Sequence, residues 1–254
     1  MMYRAIIVDL DRTLLRTDKT VSEYTRDVLA KWRRAGAYLY AATARPERAI
    51  ADYRRIIDFQ SVTTLNGART ITPGGIYEKF MDTRSAASVL EQLYGIAGTV
   101  ISAETEDGIF ASRDIPDWHP TVHDDIRRLA GNHKIYKILA SHPCMPAERF
   151  NVILPEGTYC TVADQKLLQI MSSAATKWNG IRKMLEQNGI KAEQAIYFGD
   201  DNDDIEPIRK CGCGVAVSNA AACVKDVADA VTQSNDEDGV ARFLARLEEY
   251  GAIV

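Results

Sequence analysis

Apolar and polar positions along this chain switch between two periods. Residues 4–10 centre on the run Ala5-Ile6-Ile7-Val8, the pattern of a strand buried on both faces. Residues 22–34 then place Tyr24, Val28, Leu29 and Trp32 on one side of a helix, with Ser22 as its N-cap and Gly36 at its end. Residues 37–42 predict a second strand. Residues 46–57 predict a helix with Pro46 in its first turn, and 61–65 a third strand broken by Asn66-Gly67. The far end repeats this order. A helix over 176–187 is followed by a strand over 195–198, and the next helix runs to about Lys210 despite Pro207. Short strands at 213–217 and 230–232 and a closing helix over 238–250 complete it. Such alternation predicts an α/β fold with a Rossmann-like parallel sheet and helices on both sides.

Between these ends the pattern weakens and prolines accumulate, at Pro116, Pro120, Pro143, Pro146 and Pro155. Strand candidates lie at 98–103, 108–111, 135–140, 150–154 and 159–162, and helix candidates at 84–94, 120–130 and 164–174. This stretch reads as an inserted α+β domain over 81–172. Residues 1–80 and 173–254 form the core around it.

Composition narrows the function. Among 254 residues, 46% are apolar and 26% charged, ordinary for a globular chain with a sizeable core. The net charge of −4 argues against a nucleic-acid partner but leaves room for a small basic pocket that binds an anion. Neither a signal-peptide core nor a membrane span stands out, and five cysteines without a CxxC pair read as reduced thiols. A cytoplasmic location with no membrane partner is the expectation.

Candidate chemistry clusters at strand ends, where ligands bind in open parallel sheets. The first strand ends in Asp9 and Asp11, two acids on one face that repel unless a cation neutralises them. The second strand ends in Thr43, with Arg45 close behind. A late strand runs into Gly199-Asp200-Asp201-Asn202-Asp203-Asp204, and Lys177 opens a helix. Carboxylates without a nearby histidine select a hard cation, Mg²⁺, whose usual partner is a phosphate. Lys177 and the Thr43 hydroxyl would donate to that phosphate. One aspartate would attack phosphorus, and the acid two residues on would move protons. Thr43 has helix capping as a competing role, Arg45 a surface ion pair, Asn66 a turn with Gly67, and Asp201 a solvated turn.

In these motifs the chain resembles the haloacid dehalogenase superfamily, in its Cof-type sugar-phosphatase branch. DxDxT is matched by Asp9-Leu10-Asp11-Arg12-Thr13, the strand-end Thr by Thr43, the lysine by Lys177, and the acidic turn by the segment from Gly199 to Asp204. Asn66-Gly67-Ala68 and Asn235-Asp236-Glu237-Asp238-Gly239-Val240-Ala241 also fit the branch. The resemblance implies an inserted cap, Asp9 as nucleophile, and Asp11 as general acid/base. It implies Mg²⁺ on Asp9, the Asp11 backbone carbonyl and Asp200, supported by Asp204. Thr43, Arg45, Asn66, Lys177 and Asp203 form the implied substrate set. The chain departs from the family at Arg12, commonly Gly, at Ala44 in the Thr-Gly-Arg segment, and at Asp203, usually Asn. The implied activity is hydrolysis of a small phosphorylated metabolite. A phosphomutase or a non-catalytic phospho-receiver module are the competing functions.

Overall fold

The computed structural model describes residues 3–163 and 166–249. In chain order the strands are β1 (Ala5–Val8), β2 (Tyr38–Ala42), β3 (Ser61–Thr64), β4 (Arg69–Thr72), β5 (Gly75–Glu78), β6 (Val100–Thr105), β7 (Gly108–Ala111), β8 (Thr121–Val122), β9 (Ile135–Ser141), β10 (Thr158–Ala163), β11 (Leu167–Ser172), β12 (Ala195–Gly199), β13 (Cys213–Val217) and β14 (Ala230–Thr232). The helices are α1 (Glu23–Arg34), α2 (Ala51–Ile56), α3 (Thr83–Tyr94), α4 (Leu129–Asn132), α5 (Lys177–Gln187), α6 (Ile205–Lys210), α7 (Ala222–Lys225) and α8 (Gly239–Glu249). Contacts divide the chain into two compact units, Met1–Tyr77 with Thr176–Val254, and Glu78–Ala175.

The first unit is built on a sheet of order β14-β13-β12-β1-β2-β3-β4-β5. Strands β14 to β3 in that order run parallel, and β4 turns back against β3. The order reverses at β1, which pairs with β2 on one edge and with β12 on the other. That reversal is where a doubly wound sheet opens a crevice at its carboxyl ends. Buried Ile6 and Val8 face one apolar layer with α1 and α8, and Ala5 and Ile7 face another with α5, so β1 is apolar throughout.

Local chemistry sets the helix starts. Ser22 Oγ accepts from Thr25 N at 3.0 Å and caps α1, whose buried stripe is Thr25, Val28, Leu29 and Trp32. Tyr24, expected on that stripe, is exposed. Thr176 Oγ1 accepts from Asn179 N at 3.1 Å and caps α5, leaving Lys177 as its first residue. The helix expected over 46–57 is split into a 3-10 turn, Glu47–Ile50, and α2. The closing helix begins at Gly239, because Asp238 takes a left-handed conformation (φ 60°); Tyr250 lies outside the described residues. The β4–β5 hairpin and α7 have no counterpart in the sequence reading.

The second unit is a sheet of order β10-β11-β9-β6-β7-β8 with an apolar core under α3 and α4. Three sequence expectations fail here. The helix at 164–174 is strand β11, with Leu168 and Ile170 in the core and residues 164 and 165 outside the described residues. A short apolar run cannot distinguish the two states by period alone. The helix at 120–130 is β8, a 3-10 turn (Ile126–Arg128) and α4. The strand expected at 150–154 does not form: among the described residues these positions take no regular secondary structure. Instead the Gln92 side-chain amide satisfies Ile153, accepting from its N–H at 2.8 Å and donating to its carbonyl at 3.0 Å.

Candidate functional site

Register brings the two ends of the chain together. Val8 pairs with Phe198, and Asp9 N donates to Phe198 O at 2.9 Å, so Asp9 and Asp200 leave adjacent strands at the same level. Lys177, at the start of α5, reaches this point. Its Nζ donates to Asp9 Oδ1 at 2.8 Å and to Asp204 Oδ1 at 2.6 Å. Asp9, Lys177, Asp200 and Asp204 are all buried. Carboxylate oxygens of Asp9, Asp200 and Asp204 lie within 4.8 Å of one another, a spacing that suits one metal ion. Three carboxylates against one ammonium leave two negative charges in a buried site, which a dication balances.

Asp204 anchors the acidic turn. Its Oδ2 accepts from Asp200 N (2.9 Å) and Asp201 N (3.0 Å), and its Oδ1 from Lys177 and from Tyr197 Oη at 2.5 Å. Gly199 makes this possible, since a Cβ there would sit 2.5 Å from Asp204 Cβ and Cγ. Thr13 Oγ1 donates to Asp200 Oδ1 at 2.9 Å and fixes the carboxylate's rotation. Thr13 stood in the first motif without a role, and Tyr197 was read only as strand. A tyrosine in an otherwise apolar strand that leads into a Gly-Asp turn was the available signal.

The titration behaviour follows from burial and charge. Burial pushes Asp9 well above the ordinary carboxylate range. Lys177 opposes this, while Asp204 and Asp200 add to it. Burial likewise raises Asp200, to about 6, with Asp204 repulsion adding and the Thr13 hydrogen bond opposing. For Lys177 burial favours the neutral form, but Asp204 and Asp9 outweigh it and hold the group charged, well above its usual range. One lysine shared between two carboxylates compensates neither fully, so the site remains short of positive charge.

The Asp11 carboxylate lies outside this cluster. The sequence reading placed it beside Asp9, both neutralised by one cation. In the structure β1 ends at Val8, and Asp11 is held by Arg45 Nε (2.6 Å), Arg45 Nη2 (2.7 Å) and Lys19 Nζ (2.7 Å). Burial alone would raise its carboxyl, but hydrogen bonds from Arg45 and Lys19 pull it down to about 2. Arg45, expected on substrate, is therefore the partner of Asp11, with its guanidinium 5.4 Å from the centre of the Tyr53 ring. Arg12 adopts a left-handed conformation (φ 58°), which gives a physical reason for glycine at this position. Its Nε is 3.9 Å from Asp200 Oδ2, with the side chain largely in solvent.

Thr43 follows β2 and is buried, and its hydroxyl accepts from Arg45 N at 3.1 Å. Asn66 is buried, left-handed (φ 56°), and donates through Nδ2 to Asp203 Oδ2. Gly67 (φ +95°) lets this loop meet the start of α5. A Cβ there would lie 1.9 Å from Thr176 O. Asp201 is exposed at the turn surface.

A profile of the haloacid dehalogenase-like hydrolases matches residues 6–244. The chain belongs to this family. It is 28% identical over 260 residues to the 5-amino-6-(5-phospho-D-ribitylamino)uracil phosphatase of Bacillus subtilis, covering 94% of this chain and 95% of the relative. Among solved structures, a phosphatase of the same superfamily from Bacteroides thetaiotaomicron superposes with a TM-score of 0.85 at 22% identity, over 99% of this chain and 96% of the other. TM0651 from Thermotoga maritima superposes with a TM-score of 0.82 at 24% identity, over 96% and 97%. The fold is thus that of the family's phosphatases, and the chain is a hydrolase of this type. No helix among the described residues is long and apolar enough to cross a membrane.

Proposed function

We propose that this chain is a Mg²⁺-dependent phosphomonoesterase that hydrolyses small sugar phosphates through an aspartyl-phosphate on Asp9. The convergence of Asp9, Lys177 and Asp200 from opposite ends of the chain, with two uncompensated negative charges, carries this reading. Asp9 and Asp200 would hold the cation. The Asp204 oxygens are taken by four donors, so Asp204 orients the turn and Lys177. The bound cation would offset carboxylate charge and polarise the phosphoryl group. The name of the Bacillus subtilis relative, a phosphorylated ribityl compound, supports a small hydroxylated ester.

In this mechanism an Asp9 oxygen attacks phosphorus as the bond to the ester oxygen breaks. The leaving alkoxide takes a proton from Asp11. Asp11 then accepts a proton from water, whose oxygen attacks phosphorus and releases phosphate from Asp9. For this work Asp11 turns away from Arg45 and Lys19, which hold it ionised in the conformation described, and takes up a proton from solvent before the ester oxygen leaves. Lys177 stabilises charge on the transferring group, and the Thr43 hydroxyl binds it. The compact unit Glu78–Ala175, inserted in the chain between Thr43 and Lys177, is assigned as the cap that selects substrate. Phosphate release from p-nitrophenyl phosphate tests the proposal. It should require Mg²⁺ and vanish in Asp9→Asn. Equal release by wild type and Asp9→Asn, or none by either, refutes it.

A further inference from the structure

A cavity of about 280 Å³ opens in the first unit between α1 and residues 56–58. Its α1 wall is the stripe Arg26, Leu29, Ala30, Arg33 and Arg34, whose helical spacing puts these side chains on one flank. Leu39 stands at the start of β2 and Asp58 ahead of β3, which places the cavity at the amino ends of the strands. Asp9, Thr43 and Asp200 leave the carboxyl ends of β1, β2 and β12. The cavity is therefore at the opposite end of the strands from the acidic cluster and takes no part in phosphate chemistry.

Charge at the rim is one-sided. Three guanidinium groups meet one carboxylate, an excess of positive charge on a chain whose net charge is −4. Arg33 Nε donates to Asp58 Oδ2 at 3.0 Å, which pairs those two. The guanidinium groups of Arg26 and Arg34 have no ion-pair or hydrogen-bond partner among the described residues. They mark the two ends of the stripe, about 12 Å apart along the helix. Between them the surface is aliphatic: Leu29 and Ile57 are buried, and Ile56 is half exposed. Among the described residues that line the cavity none carries an aromatic ring, a hydroxyl or an amide, so it offers no stacking surface for a base and little to a sugar. Its volume falls just below the ~300 Å³ at which small-molecule sites begin, so its ligand is small. Guanidinium groups hold carboxylates through paired hydrogen bonds, and aliphatic walls take methylenes out of water. We propose that this cavity binds a medium-chain aliphatic carboxylate, its acid drawn by the free guanidinium groups of Arg26 and Arg34 and its chain laid over Leu29 and Ile56. The inference is independent of the phosphatase reading above.

Isothermal titration calorimetry of the full chain with octanoate tests it, beside octyl glucoside and octylammonium, which change the head group, and acetate, which lacks the chain. Octanoate should bind once per chain with a Kd of about 1 mM or tighter, the strength of one charge-assisted hydrogen bond and a few buried methylenes. The other three should bind at least about tenfold more weakly, and Arg26→Glu, Arg34→Glu and Ile56→Asp should each weaken octanoate by about tenfold or more. All three positions are exposed, so the variants should keep the wild-type circular dichroism melt and the wild-type rate of phosphate release. Asp9→Asn should bind octanoate as wild type does, which separates this cavity from the acidic cluster. Octanoate that does not saturate, or that binds Arg26→Glu and Arg34→Glu as it binds wild type, overturns the inference. Equal binding of octyl glucoside overturns it by showing an apolar groove indifferent to charge, and equal binding of acetate by showing an anion site indifferent to the chain. None of these outcomes bears on the phosphatase reading, which phosphate release decides.

Discussion

Replacing Asp204 by Asn changes one atom and removes more than one contact. The wild-type carboxylate accepts two backbone N–H groups on Oδ2, and Lys177 and Tyr197 on Oδ1. An amide has one oxygen. With that oxygen toward the turn, its NH₂ faces the Lys177 ammonium. Turned the other way, it faces two N–H groups. The first pose loses the Lys177 bond and reverses the Tyr197 one, and the second loses both backbone bonds, so one or two hydrogen bonds to a buried charge go, at about 1.5–3 kcal/mol each. One gain opposes this. Asp204 is among the charges that raise Asp9 and Asp200, so neutralising it lets both ionise more readily and offsets part of the loss. The net loss is about 2–4 kcal/mol, and for a chain of this size that lowers Tm by about 5–15 °C. Differential scanning calorimetry at pH 7 measures it, and phosphate release should fall in parallel as Lys177 loses one of its two anchors. An Asp204→Asn protein melting within about 2 °C of wild type would show that the four contacts are not what holds the turn.

Gly67→Ala should lower both stability and turnover, because its Cβ would meet Thr176 O at 1.9 Å and shift the residue before Lys177; unaltered kcat and Tm would exclude a close approach there. Asp200 gives a pH signature. Its carboxyl lies at about 6 in the folded protein against 3.8 in the unfolded chain, so its contribution to stability is full below 3.8 and lost as pH rises through 6. Without Mg²⁺, Tm should fall over that window relative to Asp200→Asn, and Mg²⁺ should raise Tm more at pH 7.5 than at pH 5; a pH-independent Mg²⁺ effect contradicts this. Asp238→Leu deletes acceptors for Arg16, Ser22 and Thr25 and should cost about 2–4 kcal/mol in urea unfolding; a loss below 0.5 kcal/mol would rule out Asp238 as an anchor.

The two ends of the chain were readable because their patterns were strong. Four apolar residues before Asp9, and a Gly-Asp turn straight after a buried strand, fixed where acids would meet. Ser22 and Thr176 announced their helices by capping chemistry. What was not readable was side-chain direction after a strand stops. Alternation put Asp11 beside Asp9, yet β1 ends at Val8 and the loop hands Asp11 to Arg45 and Lys19, a partner choice set by tertiary distance. Lys19 carried no signal at all, being one cation among many in a turn. In the second unit, Leu167-Leu168-Gln169-Ile170-Met171 is as apolar as a helix face, and only pairing with β9 and β10 decides for a strand. Gln92 standing in for a strand beside Ile153 is a tertiary accident with no local pattern.

The central strand of the first sheet is made at the start of synthesis, while its neighbour β12 begins only at Ala195 and Asp200, the partner of Thr13, lies 187 residues after it. On the ribosome, Ile6, Ile7 and Val8 can find β2 early, but their other edge stays open until nearly four-fifths of the chain has emerged. An open apolar edge is a template for aggregation, so slower synthesis at low temperature should raise the soluble yield of this chain. Shortening the chain before β12 leaves the strand that carries Asp9 without its acidic partner. Premature stop codons anywhere in the first three quarters of the gene should therefore give insoluble products and no residual activity.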